Sequence, residues 1–261
     1  MTKTPLFDTH CHLDFPVFDP LRTEVLDACR QRGVERILVP GVTAAAWDRI
    51  LALCGQHQAL LPALGLHPCF LDQHRDTDIE RLARRLGRAV ALGEIGLDRW
   101  SGDATLETQV RLFEQQLDLA EQFALPILLH VRKAHDQVLM RLRRRPALHG
   151  GIVHAFSGSR QQAEQYMERG FCLGIGGAIT YPRASRLART LMALPVEALV
   201  LETDAPDMPL CGYQGQVNRP DRLPQVLAAL AAVRGESAQR LARQLWLNSC
   251  RVLNLPHDRS A

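Results

Sequence analysis

Eight short apolar runs recur along the chain, with stretches of helical periodicity between them. They are LFDTHCHL (6–13), RILVPGV (36–42), LLPALGLH (60–67), AVALGEIGL (89–97), PILLHV (126–131), GIVHAFS (151–157), FCLGIGG (171–177) and ALVLETD (198–204). Apolar runs of this length, bounded by turn residues, read as buried strands. Between them, TLETQVRLFEQQLDLAEQF places Leu112, Leu117, Leu119 and Phe123 at mixed helical spacings. Gly33 and Gly170 stand where C-terminal helix caps belong, and Ser159 with Gln162 forms a capping box ahead of RQQAEQYMERG. Strands alternating with helices imply a parallel sheet covered on its outer face, and eight such units predict an α/β fold, the closed (β/α)8 or TIM barrel. An open doubly wound sheet competes, but no G-x-G-x-x-G follows the first strand. No linker, repeat or composition shift divides the chain, so residues 1–261 are expected to form a single domain, with the helical stretch 221–255 closing the outer ring.

The polar residues sharpen this picture. Strand side chains alternate between faces, so in LFDTHCHLD the residues Asp8, His10 and His12 are expected to project together. With 10 histidines in 261 residues, one His-x-His pair carries little weight by itself. A barrel, however, gathers its functional residues at the C-terminal ends of its strands. There stand His10 and His12 (first run), Glu94 in GEIGLD (fourth), His130 in LLHVR (fifth), His154 in VHAFSG (sixth) and Asp204 in LETDAP (eighth). Any one of them alone would more often be an ordinary hydrogen-bonded structural residue. Four imidazoles and two carboxylates converging on one rim would be heavily penalised unless metal ions or hydrogen bonds compensated them. A donor set of imidazole and carboxylate without thiolate suits Mg2+, Mn2+ or Zn2+.

The motifs DTHCHLD, GEIGLD, LLHVRKAHD, HAFSG and LETDAPDMP, in this order and spacing, resemble the TatD-type metal-dependent deoxyribonucleases within the amidohydrolase-like metal hydrolases. The resemblance runs from residue 6 to about 255, and GGAITYPRAS and GYQGQVNRP look most like the YjjV-type subgroup. It implies a barrel with two or three divalent metal ions that hydrolyses phosphodiester bonds of nucleic acid, and it carries His10, His12, Glu94, His130, His154 and Asp204 over as ligands. Paired ions in such sites activate a water for in-line displacement, and a bidentate carboxylate spans them. Glu94 is therefore expected to bridge, with His10, His12 and Asp204 on one ion and His130 and His154 on the other. Asp204 is also the candidate general base. Glu202 shares its strand face with Asp204 and is expected to orient a ligand histidine, or else to make a salt bridge at the end of the core. Arg132 and His67 are candidate phosphate contacts, each with a structural alternative. Phe70, Trp100, Phe156, Tyr181 and Tyr213 could stack splayed bases, with Arg219 near the backbone.

Composition adds boundaries. At 46% hydrophobic and 23% charged residues the chain can build a sizeable core, and the net charge of +3 is compatible with a polyanionic substrate without demonstrating one. Seven scattered cysteines with no C-x-x-C pair read as reduced thiols of a cytoplasmic protein. MTKTPLFD has no apolar run after its lysine, and VLAALAAV at 226–233 is too short to span a bilayer, so no membrane association is expected. Arg141, Arg143, Arg144 and Arg145 read as a solvated helix face rather than a nucleic-acid groove. The expected activity is that of a deoxyribonuclease, a hydrolase acting on ester bonds of single-stranded DNA exonucleolytically, as a monomer. The alternative is an amidohydrolase or phosphoesterase acting on a small molecule with the same metal centre. A long groove with aromatics and Arg132 would favour the first, a closed pocket the second. A non-enzymatic binding scaffold would have no need of so costly a buried polar cluster.

Overall fold

The computed structural model describes residues 4–100 and 102–257, so the first three residues of MTKTPLFD lie outside the described residues. Eight strands are hydrogen-bonded in chain order, each parallel to the next: β1 (Leu6–Asp8), β2 (Val34–Pro40), β3 (Leu60–Leu64), β4 (Ala91–Asp98), β5 (Ile127–Arg132), β6 (Gly151–Val153), β7 (Phe171–Ile175) and β8 (Leu199–Leu201). Just past the first and last strands the circle closes, where Thr9 N–H donates to the Leu201 carbonyl at 2.9 Å and Asp204 N–H to that of His10 at 2.8 Å. One helix follows each strand: α1 (Arg22–Arg32), α2 (Trp47–Gln56), α3 (Asp78–Ala83), α4 (Leu106–Phe123), α5 (His135–Arg143), α6 (Arg160–Met167), α7 (Ser185–Ala193) and α8 (Leu223–Arg234), with α9 (Ala238–Val252) last. This is the (β/α)8 barrel that the alternating pattern predicts. Gly33 caps α1 in the left-handed region at φ 84°, and the reciprocal bonds of the Ser159 and Gln162 capping box open α6.

The strands are shorter than the apolar runs that mark them, and one expectation fails for that reason. β1 stops at Asp8, so the two-residue alternation does not carry on to His10 and His12. The Asp8 carboxylate instead accepts from His10 N–H at 3.2 Å, Thr203 N–H at 2.9 Å and Thr203 Oγ at 2.5 Å. It turns the backbone out of the strand rather than sharing a face with the two histidines.

Phe7, Leu38, Ala63, Ala91, Leu128, Ile152, Cys172 and Val200, one from each strand in order, form a buried interior layer. Trp246, Cys250, Val252 and Leu253, at and just past the end of α9, complete it, with the Phe7 and Trp246 rings 6.0 Å apart. The last helix therefore plugs the end of the barrel opposite the polar rim and does more than close the outer ring. Two residues further on stand His130 in β5 and, one residue past β6 and β8, His154 and Glu202, whose N–H groups still bond the Leu129 and Ile175 carbonyls of the neighbouring strands at 3.0 and 3.1 Å and so keep the period of the sheet. Two buried glutamines of α4 fix the neighbouring loops. Gln109 clamps the Asp98 peptide through both N–H and C=O at 2.8 Å, and Gln116 clamps Leu66 at 2.7 and 3.0 Å.

In the charge run ending α5, Arg143 and Arg144 are exposed, as a solvated face would have them, while Arg141 and Arg145 are half-buried in ion pairs: Arg145 reaches Glu114 at 2.7 Å and Asp118 at 2.5 Å, and Arg141 reaches Glu114 at 3.3 Å. His135, at the start of α5, is a core histidine packed on Phe156 and Tyr166. Burial, only partly opposed by Asp136, pushes its pKa down to about 4. Its unfolded value is about 6.5, so the unfolded chain takes up the proton first and stability falls as pH drops from about 6.5 toward 4. His135→Gln should remove about 2 kcal/mol of the stability lost between pH 7 and 5. Denaturant melts of both proteins at the two pH values measure this, and identical acid dependence would contradict it.

Candidate metal centre

β4 crosses the barrel with an irregularity that matters. Gly93 pairs with Leu128 and Ile95 with Leu129, so Glu94 is an extra residue with no counterpart in β5. Such bulges redirect a side chain. Here the buried Glu94 carboxylate lies between two groups of histidines. Its Oε2 is 3.2 Å from His10 Nε2 and 3.6 Å from His12 Nε2. Its Oε1 is 2.9 Å from His130 Nδ1, 3.3 Å from His67 Nε2 and 4.0 Å from His154 Nε2. Asp204 divides in the same manner, Oδ1 lying 3.6 and 3.7 Å from His10 and His12 and Oδ2 lying 3.6 Å from His154. Asp204 sits in the left-handed region at φ 56°, which an aspartate tolerates better than most residues.

All six residues picked from the strand ends thus converge, although His10, His12, His154 and Asp204 stand on the turns just after β1, β6 and β8. The donor spacing fits a divalent cation. His10 Nε2 and His12 Nε2 are 3.3 Å apart, and each lies 3.2 to 3.7 Å from Glu94 Oε2 and Asp204 Oδ1. Four tetrahedral ligands about 2.1 Å from a common centre are separated by about 3.4 Å. Among the described residues three groups could hold an ion: His10, His12 and Asp204; His10, Glu94 and His154; and His67, Cys69 and His130.

The electrostatics agree with the donor set. Burial disfavours a charged His154, but Glu202, Asp204 and Glu94 override it and hold its pKa up at about 10. The field that retains this proton is the field a divalent cation would feel. Burial, followed by the charge of His154, drives His10 well below its ordinary value. Glu202 is fully buried with Oε1 3.1 Å from His154 Nδ1, and it accepts the Ala155 N–H at 2.6 Å. A Cβ at Gly174 would collide with this carboxylate, so β7 needs a glycine there.

Several participants were not picked out in the sequence. Asp98 Oδ2 is 2.9 Å from His130 Nε2 and 3.4 Å from Cys69 Sγ, so His130 lies between two carboxylates. Its position was readable, four residues past Glu94 in GEIGLD and on the same strand face. Cys69 follows His67 by two residues in the 3-10 segment Pro68–Gln73, where no spacing rule marks it. Asn218 is fully buried and donates to the carbonyls of Thr203 and Met208, tying down the LETDAPDMP loop. Arg132 is half exposed at the rim, 4.0 Å from Asp98. Of the proposed base-stacking aromatics, Phe156 is buried in the core, and Arg219 is engaged with Glu24 and Asp221 at 2.8 and 2.9 Å rather than free for a phosphate.

The model of the family described as TatD related DNase matches residues 7–254. The Escherichia coli (strain K12) protein called uncharacterized metal-dependent hydrolase YjjV is 46% identical over 253 residues, covering 95% of this chain and 98% of that protein. The Erwinia tasmaniensis protein called 3'-5' ssDNA/RNA exonuclease TatD is 33% identical over 260 residues, covering 96% and 100%. The crystal structure of YjjV from E. coli superposes with a TM-score of 0.93 at 45% identity, covering 96% of this chain and 98% of that one. Among the described residues no helix is long and apolar enough to cross a membrane.

Ligands that meet only in the folded barrel couple metal binding to stability. Binding at a hundred times Kd adds about 2.7 kcal/mol, and a domain of this size shifts by roughly 2–4 °C per kcal/mol. Exhaustive chelation should therefore lower Tm by about 5–10 °C, reversibly on adding a divalent cation. An unchanged Tm in scanning calorimetry would contradict the coupling.

Proposed function

We propose that this chain, which belongs to the TatD related DNase family and is a metal-dependent hydrolase, cleaves phosphodiester bonds of single-stranded DNA from a chain end. The observation that carries this reading is the division of Glu94, whose two oxygens face separate groups of histidines. His10, His12 and Asp204 would hold one divalent ion and His130 and His154 a second, with Glu94 facing both groups. The names of relatives such as the Erwinia exonuclease support nucleic acid as the substrate class. Two or three Mg2+, Mn2+ or Zn2+ ions held there would supply Lewis acidity and offset the charge that gathers on the phosphoryl oxygens.

The protein's own groups do the rest. Asp204 is the more accessible of the two carboxylates, its side chain 13% exposed against 2% for Glu94, and it takes the proton of the attacking water as general base. Glu202 holds the His154 ring in position from behind. His67 Nδ1 accepts the Cys69 N–H at 3.1 Å, which leaves the ring proton on Nε2, directed at Glu94 Oε1. A contact from that N–H to a phosphate oxygen of the substrate would replace its present one to Glu94. Arg132 offers its guanidinium fork at the rim for a second phosphate contact.

Incubating the purified protein with labelled single-stranded DNA, RNA and small phosphoesters under several divalent metals tests the reading. Progressive shortening of the DNA is expected, with Asp204→Asn slowing it about 100-fold or more while most of the metal is retained by elemental analysis. Turnover of small phosphoesters alone would overturn the nuclease reading. Metal loss from Asp204→Asn would make that residue a ligand and nothing more.

A further inference from the structure

Trp100 is the one tryptophan of the three that faces solvent: it is 58% exposed, whereas Trp47 and Trp246 are 0% and 6%. Two cations approach its ring, the Arg132 guanidinium at 4.0 Å and the Lys133 ammonium at 4.2 Å from the centroid. Adjacent residues leaving a strand point to opposite faces, so Arg132 and Lys133 would ordinarily diverge. They meet on one indole because Lys133 adopts the left-handed region at φ 55°, uncommon for a residue of its kind. Asp98 anchors the backbone of this segment beside the candidate metal centre, since its Oδ1 accepts the Trp100 backbone N–H at 2.7 Å while its Oδ2 lies 2.9 Å from His130.

We propose that Trp100, Arg132 and Lys133 form a nucleotide subsite of the single-stranded substrate, in which an unpaired base stacks on the indole in place of a cation now lying over the ring, and the displaced cationic side chains hold the adjoining phosphate, an inference that rests on the phosphodiesterase function proposed for the chain. An exposed indole flanked by two cations matches the three parts of a nucleotide that a strand offers when its base is free: an apolar face, a π surface and an adjoining anion. Bases inside a duplex have both faces already stacked, so the platform selects single strands and does not read sequence. Trp100 is in these terms a substrate-positioning and specificity residue, and it takes no part in proton transfer.

The holoenzyme with Trp100→Ala and Trp100→Phe provides the test. Trp100→Ala should raise KM for single-stranded oligonucleotides by roughly 5- to 100-fold, the range for loss of one stacked base. The KM for a duplex should change much less, narrowing the preference for single strands, and Trp100→Phe should restore most of it. A nuclease-resistant phosphorothioate oligothymidylate should quench the intrinsic fluorescence of the wild type, and that quenching should vanish in Trp100→Phe. Equal rises in KM for single and double strands would make Trp100 a purely structural residue and overturn the proposal. So would an unchanged KM in Trp100→Ala while the wild type cleaves DNA. If the wild type neither binds nor cleaves any oligonucleotide, the nuclease function itself falls and the subsite with it.

Discussion

The burial of the Glu94 carboxylate at the centre of five imidazoles is the constraint on which the rest of the structure depends. A buried carboxylate is costly without compensating partners, and here each oxygen has its own: His10 and His12 on one side, and His67, His130 and His154 on the other. To reach that place the residue is set in a bulge of β4, where no residue of β5 opposes it. The adjoining Gly93 is required because a Cβ there would collide with Leu128. Around this point the turns after β1, β6 and β8 are held by specific bonds: Asp8 on His10 and Thr203, Glu202 on Ala155, and Asn218 on the Thr203 carbonyl. A polar cluster that must meet within a few ångströms needs such a rigid surround.

The two ends of the barrel divide the work. At one end eight apolar side chains, one per strand, are closed off by Trp246 and its neighbours from α9, and little there is polar. At the other, the same inward-facing rows continue as His130, His154 and Glu202. Stability resides in the first layer and chemistry in the second, which is how this architecture allows ligands to change without loss of the fold. The α4 glutamines connect the two demands. Gln109 and Gln116 are buried in the helix layer, yet they fix the peptides of Asp98 and Leu66, next to the groups that face Glu94.

Much of this was legible in the sequence, and the failures have physical causes. The eight apolar runs announced eight strands because a parallel sheet buried on both faces leaves continuous hydrophobic stretches. The six convergent residues could be named because a barrel brings the ends of its strands to one rim, whichever residues lie between. Asp8 was misplaced because alternation holds only while the strand lasts, and β1 ends there. Cys69 was passed over because its contact with Asp98 joins the segment after β3 to the end of β4, and Asp98, although readable four residues past Glu94, because its partner His130 lies on the neighbouring strand. Arg219 was read as free because Glu24, its partner, is 195 residues away in the chain. The role of α9 escaped because helical periodicity shows that a face is apolar but not what it covers.

The central claim is that one carboxylate spans two cation positions, and locating the ions tests it most directly. Crystals of the Mn2+-loaded protein, with diffraction recorded at the manganese absorption edge, should show two anomalous peaks flanking Glu94. One should lie among His10, His12 and Asp204 and the other beside His130 and His154. A single peak, or manganese confined to the group formed by His67, Cys69 and His130, would contradict the claim.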